Sequence, residues 1–167
     1  MFLVLFLVLL GTEQVQPQSL LPQLHGEWAV SYRLHPGPMG PGGQGMGEMV
    51  VRKGPRDALT MDFRCTSGPM KGFSLLQLMV WNGKTAQFEM VWVDAFNPGM
   101  SGIKYGKVDG NRVVYEYESP MGERNAHHRS VVTYFSQDHF QAESSMSLDG
   151  QSFQPSMKLT YRRKGDQ

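Results

Sequence analysis

Between residues 27 and 163 apolar and polar side chains alternate with a period of two, run after run, and no stretch of a dozen residues carries a helical period. Such a chain is confined to β-sheet, because successive side chains of an extended strand point to opposite faces and period two makes one face continuously apolar. The runs fall at 27–35, 47–53, 59–66, 72–81, 85–94, 102–109, 112–119, 126–135, 139–147 and 153–163. Between them stand Asn82-Gly83, Asp109-Gly110-Asn111, Ser136-Gln137-Asp138 and Asp149-Gly150, residues that accept the left-handed backbone of tight hairpins, so sequential strands pair antiparallel. About ten such strands make an up-and-down barrel or a sandwich. A closed all-β antiparallel barrel is the expectation. It brings the last strand beside the first, so that Trp28 meets the pair Arg162 and Arg163.

At 167 residues with 19% charged side chains, the chain fits one core and is too apolar to be disordered. A net charge of +1 provides no basic field for a phosphate backbone, which argues against a nucleic-acid partner. Residues 1–10 are wholly apolar and stop at Gly11-Thr12, too short for a membrane span and matching the apolar core of an export signal. We therefore expect a signal peptide over 1–11, a linker or short N-terminal cap over 12–23 with a helical turn near 19–24, and a barrel domain over 24–164 that works in the periplasm or outside the cell. Cys65 is the single cysteine, so no internal disulfide forms and the thiol reads as a small buried apolar group.

Counting strand direction places the short connections, among them Asn82-Gly83 and 136–138, at the end where Trp28 begins, which is the closed end. The longer Gly/Pro/Met-rich connections 36–46, 67–71, 95–101 and 120–125 form the mouth. Parity puts Trp28, Val30, Tyr32 and Leu34 inside, with Leu59, Met61, Phe63 and Cys65, then Ala86, Phe88, Met90 and Trp92, then Val113, Tyr115 and Tyr117, then Val131 and Phe135, then Met157, Leu159 and Tyr161. Near the mouth it adds Asp94, His127 and Arg129, polar groups that would orient a ligand's polar end or close the rim as an Asp94–Arg129 ion pair. Met39, Met46, Met70, Met100 and Met121 fall at the mouth and suit a flexible lid over an apolar guest. The fourth run is apolar on both faces, which implies an outer cover from the N-terminal segment or a second subunit.

Other chemistry is poorly supported. Gly40, Gly42 and Gly45 satisfy the dinucleotide-binding spacing, but they join antiparallel strands instead of opening a helix after a parallel one. His127 and His128 are strand neighbours on opposite faces and cannot share an ion inside the barrel. A haem would have His127 alone. A hydrolytic set of Asp94 and His127 with Ser101 or Ser119 lacks a nucleophile elbow. No cofactor is expected. The reading is a non-enzymatic binding protein for a small, largely apolar molecule, with Phe88, Met90, Trp92, Tyr115 and Tyr117 lining the cavity and Asp94, His127 and Arg129 at its polar end. The alternative is a barrel filled by its own side chains that acts through its surface, as a homodimer along the fourth strand.

The chain resembles a bacterial lipocalin-like family, domain of unknown function 1579, over about residues 24–164. The resemblance rests on Gly26-Glu27-Trp28, on Val91-Trp92-Val93-Asp94 before a Gly/Met loop, on Pro120-Met121-Gly122, and on the ending Met157-Lys158-Leu159-Thr160-Tyr161-Arg162-Arg163. It implies a calycin-type barrel, often in exported proteins, without an established activity. It also implies that an arginine of the final strand lies across Trp28, and Arg163 has the inward parity.

Overall fold

The alternating runs become ten strands: β1 (Gly26–Leu34), β2 (Gly43–Lys53), β3 (Leu59–Cys65), β4 (Ser74–Asn82), β5 (Gln87–Asp94), β6 (Lys104–Asp109), β7 (Arg112–Met121), β8 (Arg124–Ser136), β9 (His139–Ser147) and β10 (Gln154–Arg163). The computed structural model describes residues 16–38, 40–95, 99–121 and 124–165, so the apolar segment expected to direct export and Met39 lie outside the described residues. Every strand pairs antiparallel with the next, and β10 returns to β1, closing the barrel. The closing register runs from Trp28 opposite Arg163 to Leu34 opposite Met157. Closure removes the exposed strand edges that a sandwich would leave.

β2 starts earlier than the alternation predicts, because its Gly-rich beginning pairs with the far end of β1, Gly43 opposite Leu34. The reason is a close approach. A Cβ at Gly45 would overlap the Tyr32 hydroxyl and the Ser67 carbonyl. Tyr32 crosses that bare stretch of backbone to donate to the Ser67 carbonyl at 2.6 Å and accept from the Met70 amide at 3.0 Å. The β3–β4 connection is thereby tied to the first strand. The connection after β1 is correspondingly shorter than the 36–46 segment expected.

The closed end is built from the two ends of the chain. A helical turn, α1 (Pro17–Leu20), and a 3₁₀ turn over Leu21–Gln23 pack Leu20, Leu21 and Leu24 into the barrel floor beneath the fully buried Trp28. The Trp28 indole donates to the Leu24 carbonyl at 3.0 Å. Arg163 lies over the indole face, its guanidinium carbon 4.7 Å from the ring centroid, and pairs with Asp138 at 2.6 Å. The same guanidinium donates to the carbonyls of Gln23, His25 and Gln137. It therefore satisfies orphan acceptors at the end of the N-terminal turn that water would otherwise have to reach. Gly26 is required here: its φ is +125°, and a side chain would meet the Arg163 guanidinium. Above the floor, Phe140 touches Trp28 edge-on at 4.9 Å and stacks on Tyr161 at 4.3 Å.

Residues 16–24 pack under the barrel and do not cover β4. The outer face of β4 stays open, with Leu76 53% and Leu78 45% exposed beside Val93 and Val91 of β5. The expected cover from the N-terminal segment is therefore not found among the described residues.

Candidate functional site

Ten strands enclose more space than these side chains fill. A cavity of about 580 Å³ runs from Leu24, Tyr134 and Phe140 above the floor to Gly40, Pro41, Gly42 and Asp94 at the rim. A cavity of that size favours a container over a side-chain-filled interior. Met49, Met61, Met79, Met90 and Met157 supply much of the wall, with Phe63, Phe73 and Leu75. Thioethers conform to irregular apolar shapes, and their concentration leaves a surface with little shape preference of its own.

One wall is polar. Tyr117 of β7, His128 and Ser130 of β8 and Ser144 of β9 all face the cavity. Ser130 and Ser144 share a hydrogen bond at 2.8 Å, and Ser119 Oγ lies 2.7 Å from His128 Nε2. Tyr117 stacks on the His128 ring at 4.9 Å and meets Trp92 edge-on at 5.4 Å. Burial, reinforced by the Lys104 and His127 charges, holds the His128 imidazole below its ordinary value, so it is neutral at pH 7. Desolvation likewise pushes the Tyr115 and Tyr117 phenols up, and Cys65 in the same cavity to about 11, so all three stay protonated. A pKa that high makes Cys65 a packing group and a poor nucleophile. Gln77 offers its amide to the Met90 sulfur at 3.3 Å.

The residues expected to meet at the site divide into three groups. Met90, Trp92, Asp94, Tyr115 and Tyr117 face the cavity. Phe88 is inward and fully buried, but it packs against Trp81 at 5.0 Å and is not part of the cavity wall. His127 and Arg129 are on the outside: His127 Nδ1 lies 3.2 Å from Glu118 and Arg129 Nε 3.4 Å from Glu116. No Asp94–Arg129 pair closes the rim. The parity of β8 is therefore opposite to that expected, with Ala126, His128, Ser130, Val132 and Tyr134 inward and Phe135 47% exposed.

The register gives the physical reason. Tyr117 pairs with His128, Glu116 with Arg129 and Glu118 with His127, and directly opposed residues share a face. A solvent-facing Glu-x-Glu therefore takes His127 and Arg129 outward with it. That charge complementarity across the Pro120–Asn125 turn was the available signal. Valines at both 131 and 132 hid it. Lys104 was also missed. It shares the inward parity of Gly106 and Val108, and its ammonium stands 4.9 Å from the Tyr117 ring centroid and 5.6 Å from that of Trp92.

The lid expectation changes too. Met70 lines the cavity, whereas Met46 and Met100 are 49% and 73% exposed and do not cover it. Ala86 is not in a strand; it sits in the β4–β5 turn with φ +50°. Among the described residues no three His, Cys, Asp or Glu side chains are grouped to hold a metal ion, and no helix is long and apolar enough to cross a membrane.

Comparison with known proteins agrees with this architecture. The family described as protein of unknown function (DUF1579) matches residues 13–163. Among solved structures, the chain is similar to Rv2717c from M. tuberculosis, at 17% identity and a TM-score of 0.59, covering 90% of this chain and 99% of that one. It is also similar to the S-type phycobiliprotein lyase CPES from Guillardia theta, at 8% identity and a TM-score of 0.58, covering 92% and 100%. At these identities the likeness is one of fold. No curated protein matches the chain.

Proposed function

The chain belongs to the DUF1579 family, and on that footing we propose that it is a non-enzymatic, exported binding protein whose barrel holds one small, largely apolar molecule. The carrying observation is the unfilled cavity of about 580 Å³, walled by methionine and aromatic side chains and reaching the rim. That volume lies within the ~300–1,000 Å³ typical of small-molecule sites, with few polar groups to orient the guest. Trp92, Tyr115 and Tyr117 give it flat apolar surface, and Asp94, His128, Ser130 and Ser144 bind its polar edge.

Catalysis is not part of this reading. Ser119 lies 2.7 Å from the cavity-lining His128, yet Ser119 is not part of the cavity wall and sits within the regular strand β7, where no turn presents it for attack. Export rests on the apolar run 1–10.

The test is saturable binding of the neutral apolar dye N-phenyl-1-naphthylamine. One dye per protein is expected, and Met90→Trp, which adds an indole to the cavity wall, should weaken binding while leaving the far-UV spectrum unchanged. Failure to bind the dye, together with no adduct in native mass spectra of protein from its own host, would overturn the container. Labelling by an active-serine probe would overturn the non-enzymatic reading, and recovery of unprocessed protein only in the cytoplasmic fraction would overturn export.

A further inference from the structure

β6, with six residues, is the shortest strand of the closed barrel. β6 pairs with β5 only from Gln87 to Met90, and with β7 only between Gly106 and Asp109. Beyond that point the chain stays beside β5 through Ser101, whose amide donates to the Trp92 carbonyl at 2.8 Å and whose hydroxyl accepts from the Trp92 amide at 2.8 Å, and the inward rings of Trp92 and Tyr117 meet edge to face at 5.4 Å. The half-buried Lys104 opens β6 with the inward parity of Gly106. Its ammonium rests against both rings, 4.9 Å from the Tyr117 centroid and 5.6 Å from that of Trp92. Among the described residues no carboxylate lies within ion-pairing distance of it, whereas Lys158, Arg163 and Lys164 are all paired. Two aromatic faces stabilise a cation without neutralising it, and they shield it from water.

The surroundings fit an incoming anion. The Ser119 hydroxyl and the His128 edge lie on the same wall, the imidazole stacked on the far side of Tyr117. Asp94 stands one pleat nearer the rim and has partners of its own. Burial holds His128 below its ordinary value, so the charge against the Trp92 and Tyr117 rings is the single ammonium of Lys104, which suits a monoanion better than a phosphate dianion. Deeper in, Met79 and Met90 offer only apolar surface. Resting on the container reading, we propose that the guest is an amphiphile with one carboxylate, which pairs with Lys104 between Trp92 and Tyr117 while its apolar body lies along the methionine wall.

The experiment compares dodecanoate, dodecan-1-ol and dodecyl phosphate as competitors of N-phenyl-1-naphthylamine at pH 7. A desolvated ion pair should make dodecanoate at least roughly ten-fold tighter than the alcohol, with the phosphate no tighter than the acid. Lys104→Met, which keeps the stem against the rings and removes the charge, should erase the preference and leave alcohol binding unchanged; Lys104→Arg should retain it. Equal binding of acid and alcohol, a preference that survives Lys104→Met, or a preference for the phosphate would overturn the carboxylate site. In each of those cases the dye and the alcohol still bind, so the container stands; if the dye itself fails to bind, both readings fall together.

Discussion

Replacing Arg163 by methionine tests whether the two ends of the chain lock the barrel floor. The methionine keeps an unbranched stem against Trp28 and removes the charge and all five donors. Three contributions are lost: the cation over the indole, the donations to the Gln23, His25 and Gln137 carbonyls, and the pair with Asp138. A cation–π contact contributes about 0.5–2 kcal/mol, and a hydrogen bond from a charged donor about 1.5–3 kcal/mol net. The Asp138 carboxylate is 56% exposed, so that pair adds little. Water recovers some of the carbonyls, which leaves about 3 kcal/mol, or a fall in Tm of about 6–12 °C for a chain of this size. Thermal unfolding followed by near-UV circular dichroism reads the change. Arg163→Lys should lose more than half as much, because one ammonium cannot reach three carbonyls in different directions. The coupling of Arg163→Met with Trp28→Phe should exceed about 0.5 kcal/mol in a double-mutant cycle. If Arg163→Met unfolds within about 0.5 kcal/mol of the parent, the floor is held by apolar packing alone and the clasp is incidental.

Gly45→Ala should cost about 1–3 kcal/mol in urea denaturation, since its methyl group must displace the Tyr32 hydroxyl that pins the β3–β4 connection; Tyr32→Phe in the same background should recover part of the loss. The His128 imidazole is held below its ordinary value in the folded state, so its contribution to stability is complete above about pH 6.5 and declines as the pH falls toward the folded value. Unfolding free energies between pH 7 and 5 should fall less steeply in His128→Gln, and an unchanged slope would remove His128 from the acid response. Cys65, buried with its pKa pushed up to about 11, should react with a soluble disulfide reagent at pH 8 far more slowly than it does once denaturant opens the barrel. Leu76→Lys on the open outer face of β4 should shift stability by less than about 0.5 kcal/mol, and dissociation of an oligomer in the same variant would show that this face is an interface.

Strand number, order and closure were legible because each rests on a local signal repeated along the chain: period two, hairpin residues at 82–83, 109–111 and 149–150, and a tryptophan and arginine placed to meet. The inward faces of β1, β3, β5, β7 and β10 were legible for the same reason. β8 was not, since Val131, Val132, Tyr134 and Phe135 place apolar groups on both faces and the deciding information lies in the partner strand, where Glu116 and Glu118 face Arg129 and His127. Two of the three polar groups expected at the site, His127 and Arg129, were lost through that single inversion, and His128, Ser130 and Ser144 took their place. Lys104 escaped notice for a different reason. Its strand is short, and what makes the lysine notable is its place against the Trp92 and Tyr117 rings, a matter of the register of three strands that no residue type announces. The β2 extension was hidden because glycines carry no face to read.

The pairing of β1 with β10 constrains how the molecule is made. The Arg163 guanidinium finds the His25 carbonyl 138 residues back along the sequence. A ribosome releases the N-terminal strand long before its permanent neighbour exists, so β1 waits, unpaired on one side, through nearly the whole of synthesis. Such long-range closure makes folding slow and late, on the millisecond-to-second scale of non-local β topologies. Until then the nascent chain is a row of hairpins with an open edge, a form that, kept waiting at high concentration, would pair with its neighbours instead.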